Sequence, residues 1–182
     1  MRVSPIGIAG PMLLTPDVHF DDRGFFVETF RSSEAKRAGI RDDFVQQSQS
    51  RSVIGTLRGL HFQAPPGQAK LVRVARGAIH DVVVDIRRTS PNFGHHAFVR
   101  LDDTQHHQLY IPAGFAHGFC VLSDAADVIY SVSRYYDPAL ERGLAWDDPE
   151  LAIDWPTHRP LVSERDHHHP TLRHLDRGLT SW

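Results

Sequence analysis

Short apolar runs follow one another along the chain, separated at intervals of about ten residues by glycine and proline. The clearest are Lys70–Ala75 (KLVRVA), His80–Ile86 (HDVVVDI), Ala97–Leu101 (AFVRL), Gln108–Ile111 (QLYI), Gly118–Leu122 (GFCVL) and Val128–Arg134 (VIYSVSR). Their β-branched and aromatic residues make them strands, and many short strands at this spacing predict an all-β sandwich or barrel. Helical signals are confined to Ser32–Ala38, where serines precede Glu34 as a cap, and to the C-terminal residues. No alternation of strand with helix is present, which argues against a Rossmann-type sheet.

Composition narrows the class. A length of 182 residues fits one domain, 1–182, at the usual size of about 150 residues, and no linker divides it. With 41% hydrophobic and 23% charged residues the chain is not a disordered one. A net charge of −2 speaks against a nucleic-acid partner, since phosphate binding needs a basic field. No run approaches the ~18 apolar residues of a membrane span, and the first residues, broken by Pro5 and Pro11, do not read as a signal peptide. A lone cysteine, Cys120, excludes an internal disulfide framework; the expectation is a cytoplasmic protein. Thirteen histidines, and only two lysines (Lys36 and Lys70), stand out.

Four stretches could carry chemistry. In QQSQSRSVIGTLRGLHFQAPPGQAK, from Gln46 to Lys70, His61 sits within an apolar strand. A lone histidine there is most often a satisfied core residue. Strict alternation puts Arg58 on the face of Leu60 and Phe62, opposite His61, unless a bulge at Gly59 re-aims the strand. Such an arginine, if buried, needs an anion, from a carboxylate or a ligand phosphate. The second stretch, YIPAGFAHGF, places His117 at a PxGxxH spacing similar to the second motif of cupins. Both motifs are broken: His61-Phe62-Gln63 lacks the second histidine of the first, and Val121 stands four residues after His117 where the second has asparagine. Scattered histidines without a carboxylate make a poor site, so no catalytic metal is expected. Third, Tyr130, Tyr135 and Tyr136 cluster in VIYSVSRYYDP, as cross-strand packing or as a proton donor and a stacking ring. Fourth, Arg23 and Glu28 in FDDRGFFVETF read as the solvated side of an edge strand.

In order along the chain, DDRGFFVETF, QSQSRSVIGTLRGLHFQ, the segment ending in SPNFG, QLYIPAGFAHGFCVL, IYSVSRYYDP, WDDPELAIDWP and VSERD resemble the dTDP-4-dehydrorhamnose 3,5-epimerase family. The resemblance implies a cupin-type double-stranded β-helix, a jelly-roll barrel with a short helix. It also implies a homodimer made by exchange of an N-terminal strand, and no metal or organic cofactor. The implied reaction inverts carbons 3 and 5 of a dTDP-4-keto-6-deoxyhexose, as in dTDP-L-rhamnose biosynthesis. Inversion beside a ketone needs a base, an acid on the opposite face and a stabiliser for the enolate oxygen.

By resemblance His61 is the base, Asp166 its carboxylate partner, Tyr130 the acid and Lys70 the cation at the enolate. Arg58 matches a diphosphate ligand. Arg23, Phe26 and Glu28 match residues given by the exchanged strand to the neighbour's nucleotide site. Gln46, His117 and Glu141 match further substrate contacts, Tyr135 a base or sugar stack, and Tyr136 a ring beside the sugar. Three positions depart from the family: Ser48 and Arg165 at substrate-side positions, and Ser131 after the catalytic tyrosine. These bear on substrate choice more than on reaction type. The His167–His169 run has no family role and reads as a solvated loop. Alternatives are a single-centre 3- or 5-epimerase, a keto-isomerase that returns the proton to a different carbon, and a non-catalytic nucleotide-sugar-binding or metal-binding cupin.

Overall fold

The computed structural model describes residues 1–176. In chain order the strands are β1 (Arg2–Pro5), β2 (Met12–Thr15), β3 (Val18–Asp21), β4 (Gly24–Val27), β5 (Gln46–Val53), β6 (Leu57–Gln63), β7 (Lys70–Arg76), β8 (Ala78–Asp85), β9 (His96–Asp102), β10 (Gln108–Ile111), β11 (Phe115–Val121), β12 (Ala125–Val132) and β13 (Glu141–Gly143). One helix, α1 (Ser32–Arg37), lies between β4 and β5. A six-stranded sheet, β1-β2-β10-β7-β12-β5, packs against a five-stranded sheet, β13-β6-β11-β8-β9, and the pairings are antiparallel. This is the all-β, two-sheet architecture expected from the strand spacing.

The near-continuous apolar runs of β8 and β11 arise because both faces of the five-stranded sheet are covered. Ile79 and Val83 of β8 and Phe115, Phe119 and Val121 of β11 join Val72, Val74 and Val128 of the other sheet in the inner core. The alternate residues, Val82 and Val84 of β8 with Ala116 and Cys120 of β11, point outward, as the pleat requires. They are covered by Leu144, Leu151, Trp155, Leu172 and Leu175 of the C-terminal segment. On the far face of the six-stranded sheet, Ala35 and Ile40 around α1 pack on Leu14, Leu71 and Tyr110.

Two sequence expectations need revision, the serine cap of α1 and the helical signal at the C-terminal end. The residue before α1 is an extended Arg31 that makes no side-chain cap, so the serines sit inside the helix, although Glu34 in the first turn and Lys36 and Arg37 in the last suit its dipole. β1 and β2 belong to the chain's own sheet, β2 pairing with β10. The part of the N-terminal region outside both sheets is the β3–β4 hairpin, a two-stranded ribbon carrying exposed Phe20, Phe25 and Phe26. Of the C-terminal residues, Asp166–His168 and Leu172–His174 form 3-10 turns, and those after 176 lie outside the described residues. No helix among the described residues is long and apolar enough to cross a membrane.

Candidate active site

A cavity of about 550 Å³ opens between the two sheets, lined from β6, β7, β11, β12 and the C-terminal segment. Its shape depends on an irregularity in β6. His61 pairs with His117, yet Arg58 pairs with Phe119, so Gly59 and Leu60 together oppose Gly118 alone. Only glycines fit here: a Cβ on Gly59 would lie 2.5 Å from the Gly118 Cα, and Gly59 has φ +131°. The bulge resets the alternation. Leu60 and Phe62 go to the outer core, while Arg58 and His61 both line the cavity. Strict alternation, which separates Arg58 from His61, is thereby overturned. Arg58 is also exposed rather than buried, its Nε donating to Ser52 Oγ at 2.9 Å, so no internal carboxylate is needed.

Asp166 reaches His61 from the 3-10 turn after Arg165. It is buried, with Oδ1 2.7 Å from His61 Nε2 and Oδ2 accepting the Gly59 N–H at 3.3 Å. Burial alone would raise the Asp166 pKa. The imidazoles of His169 and His61 and the Gly59 N–H outweigh it and hold the carboxyl well below the usual range. For His61, burial pushes the pKa down against the raising effect of Asp166, and Lys70 and Arg165 push the same way as burial. The imidazole is therefore neutral near pH 7, with Nε2 on the carboxylate and Nδ1 left to take a proton.

The opposite wall comes from the six-stranded sheet. Tyr130 of β12 and Lys70 of β7 face the cavity, so the imidazole and the phenol approach from different sheets. Burial lowers the Lys70 pKa to about 8 despite Glu141 and Asp81, and its Nζ donates to the His61 carbonyl at 3.2 Å. His117 Nε2 lies 2.9 Å from Asp81 Oδ1, both residues buried. At the rim, the Tyr136 hydroxyl donates to Glu141, which also pairs with Arg165 at 3.2 Å. Gln46 Oε1 accepts the Tyr136 N–H at 2.9 Å, and its Nε2 lies 3.4 Å from Ser48 Oγ; Ser48 pairs with Tyr130 across the strands.

The structure thus gathers His61, Asp166, Lys70, Tyr130, Arg58, His117, Tyr136, Glu141 and Arg165 around one cavity, with Gln46 and Ser48 beside it. It does not bring Arg23, Phe26, Glu28 or Tyr135 there. Arg23 pairs with Asp21 and Glu28 with Arg31 on the surface, and Tyr135 is 75% exposed. The His167–His169 run is not simply solvated. His167 and His168 are exposed, but His169 turns inward, 3.3 Å from Asp166 and edge-on to His61. Sequence reasoning also missed Gln63 and Ser163 in the lining, and Asp81 beneath His117. Asp81 had a signal: in HDVVVD it shares the core-facing parity of Ile79 and Val83, where a carboxylate needs a partner.

The family model for dTDP-4-dehydrorhamnose 3,5-epimerase matches residues 5–174. The enzyme of that name from Methanothermobacter thermautotrophicus is 44% identical over 175 residues, covering 94% of this chain and 95% of its own. A dTDP-4-dehydrorhamnose 3-epimerase from Streptomyces niveus is 47% identical over 170 residues, covering 91% and 81%. A Legionella pneumophila dTDP-6-deoxy-D-glucose-3,5-epimerase, solved with dTDP-4-keto-L-rhamnose, superposes with a TM-score of 0.96 at 41% identity, covering 100% and 98%.

Proposed function

The chain belongs to the dTDP-4-dehydrorhamnose 3,5-epimerase family, and we propose that it inverts carbons 3 and 5 of dTDP-4-keto-6-deoxy-D-glucose to give dTDP-4-keto-L-rhamnose. The observation that carries this reading is the His61–Asp166 pair on one wall of the cavity, facing Lys70 and Tyr130 on the other. His61 Nδ1 takes the proton from the carbon beside the ketone. Asp166, held ionised, supports the imidazolium that results. Lys70 stabilises the enolate oxygen, and Tyr130 returns a proton to the opposite face. One proton leaves and one enters at each centre, so the chemistry balances without an organic cofactor or a catalytic metal.

Arg58 receives the diphosphate, and Gln46, Ser48, His117, Tyr136, Glu141 and Arg165 surround the sugar. Arg23, Phe26, Glu28 and Tyr135 serve the nucleotide only if a second copy is present. The β3–β4 hairpin pairs with neither sheet of its own chain and exposes Phe20 and Phe26 at 73% and 69%. A lone hairpin is marginal in water, which supports a homodimer in which this arm completes the neighbour's site. The whole chain acts as one domain. Cys120 is free and buried, which supports residence in a reducing cytoplasm.

Incubation with dTDP-4-keto-6-deoxyglucose in deuterated water tests the reading by NMR. Deuterium at both carbons is the expected result. Uptake at one carbon would replace it with the single-centre reaction, which the 3-epimerase relative favours as the second reading. A displaced carbonyl would make the chain a keto-isomerase, and binding without exchange would make it a binding protein.

A further inference from the structure

Among the described residues, His61, Asp166 and His169 place one metal-ligand atom each within 4.8 Å of one another. The Nε2 atoms of His61 and His169 stand 2.7 and 3.3 Å from the same oxygen, Asp166 Oδ1. The His169 nitrogen is shut off from solvent, and its 3.3 Å approach to Asp166 Oδ1 does not form a hydrogen bond, so the ring faces the carboxylate with its nitrogen otherwise unengaged. A gap in the neighbouring strand makes room for the ring. A Cβ on Gly143 would lie 2.2 Å from it, and Gly143 is the cross-strand partner of His61. The bare glycine thus lets the second imidazole stand edge-on to the first, centroids 5.7 Å apart.

We propose that His61, Asp166 and His169 form an inhibitory site for a divalent transition-metal ion of the Zn²⁺ type. Two imidazoles and one carboxylate suit such an ion, whereas Mg²⁺ and Ca²⁺ take oxygen ligands. Bonds of about 2.0–2.2 Å to tetrahedral zinc set the ligand atoms about 3.4 Å apart. The His169–Asp166 spacing already matches, and the His61–Asp166 pair need open by only ~0.7 Å. Two cations oppose the ion. Arg165, 3.3 Å from His61 Nε2, is exposed and keeps Glu141 as a partner when it swings aside. Lys70 is directed at the His61 carbonyl, 3.2 Å from its Nζ, and not at the ring nitrogen that would take the ion.

Inhibition follows from the proton count of the ring, and this part rests on the reading of His61 as the base. Without metal, Nε2–H donates to Asp166 and Nδ1 is empty. A metal on Nε2 moves the ring's single proton to Nδ1, the atom that must accept the substrate's proton. It also takes Asp166 away from the imidazole.

The test is calorimetric titration of Zn²⁺ into the metal-stripped full chain at pH 8, with His169→Ala, His169→Gln and His168→Ala variants checked for folding by circular dichroism. The expected result is one ion per chain, bound about tenfold or more weakly by either His169 variant. His168→Ala, whose ring is exposed beside Glu164, should bind within about twofold of wild type. No binding, binding unchanged in the folded His169 variants, or binding lost in His168→Ala would overturn the site. Zinc near saturation should also stop deuterium exchange in wild type, and exchange continuing at the metal-free rate would overturn the inhibitory role. Lack of exchange before any zinc is added would count against the epimerase reading alone, because calorimetry reads the site without turnover.

Discussion

Replacing Asp166 with asparagine removes one charge while keeping the side chain's shape. In the structure the carboxylate lies 2.7 Å from His61 Nε2. At an effective dielectric of about 20 this separation corresponds to roughly 6 kcal/mol between carboxylate and imidazolium, an upper bound on the support Asp166 gives a protonated His61. Asparagine keeps a hydrogen-bonding oxygen for the ring, so a loss of roughly 3–5 kcal/mol is reasonable, equivalent to about 10²–10⁴-fold in rate. Arg165, left beside His61 without the balancing charge, depresses the base further. The assay is deuterium wash-in at carbons 3 and 5 under saturating substrate, with dTDP affinity measured separately. Affinity should stay within about threefold of wild type while exchange collapses. The Asp166 carboxyl titrates below its ordinary range in the folded state, so its stabilisation is present above that range and lost as pH falls through the folded value. The variant should therefore also be less stable at neutral pH and show a flatter acid limb in thermal melts. Exchange within about threefold of wild type at saturation would refute the reasoning, because the charge would then contribute nothing to the base.

His61→Ala should abolish exchange and leave nucleotide binding nearly intact; exchange at the wild-type rate would show that another group is the base. Lys70→Met should cut activity yet raise stability at pH 7 by roughly 3 kcal/mol, since the folded state lowers the lysine pKa from 10.5 to about 8. The sign follows from the unfolded chain holding more protons between those values, so the advantage should fade as pH rises from about 8 to 10.5 in chemical-denaturation curves. Gly59→Ala forces a Cβ to 2.5 Å from the Gly118 Cα, and denaturation should show at least about 3 kcal/mol of destabilisation with matching loss of activity. Arg23→Ala should raise KM with little change in kcat, and light scattering should report a dimer; a fully active monomer would refute the shared site.

The strands that could be read from the sequence, β7 to β12, are those whose core-facing positions are apolar, such as Val72 and Val74, Ile79 and Val83, Ala97 and Leu101, Leu109 and Ile111, Phe115 and Phe119, and Val128. β5 could not be read, because its inward positions are Gln46, Ser48, Ser50 and Ser52, polar side chains at or beside the cavity, and the binary pattern vanishes. β6 misleads by parity: Gly59 and Leu60 share one partner, and no periodicity records a bulge. Asp166 lies 105 residues from His61, so only the family resemblance identified it. His169 was hidden among three successive histidines, because the glycine that admits its ring, Gly143, sits on another strand. Arg58 and His117 were found from local motifs, while the partner of His117, Asp81, was visible only as a charge at a core-facing position.

The C-terminal segment that delivers Asp166 is held to the outer face of the five-stranded sheet mainly by Leu151, Trp155, Leu172 and Leu175. It is a strap laid over a sandwich whose inner core does not include it. Segments of this kind open as separate cooperative units, below the free energy of global unfolding. Warming or limited proteolysis would then release the strap first, leaving an intact β-sandwich whose histidine has lost its carboxylate. Catalysis would be the earliest casualty of heat, and the temperature at which turnover fails would lie below the one at which the sheets melt.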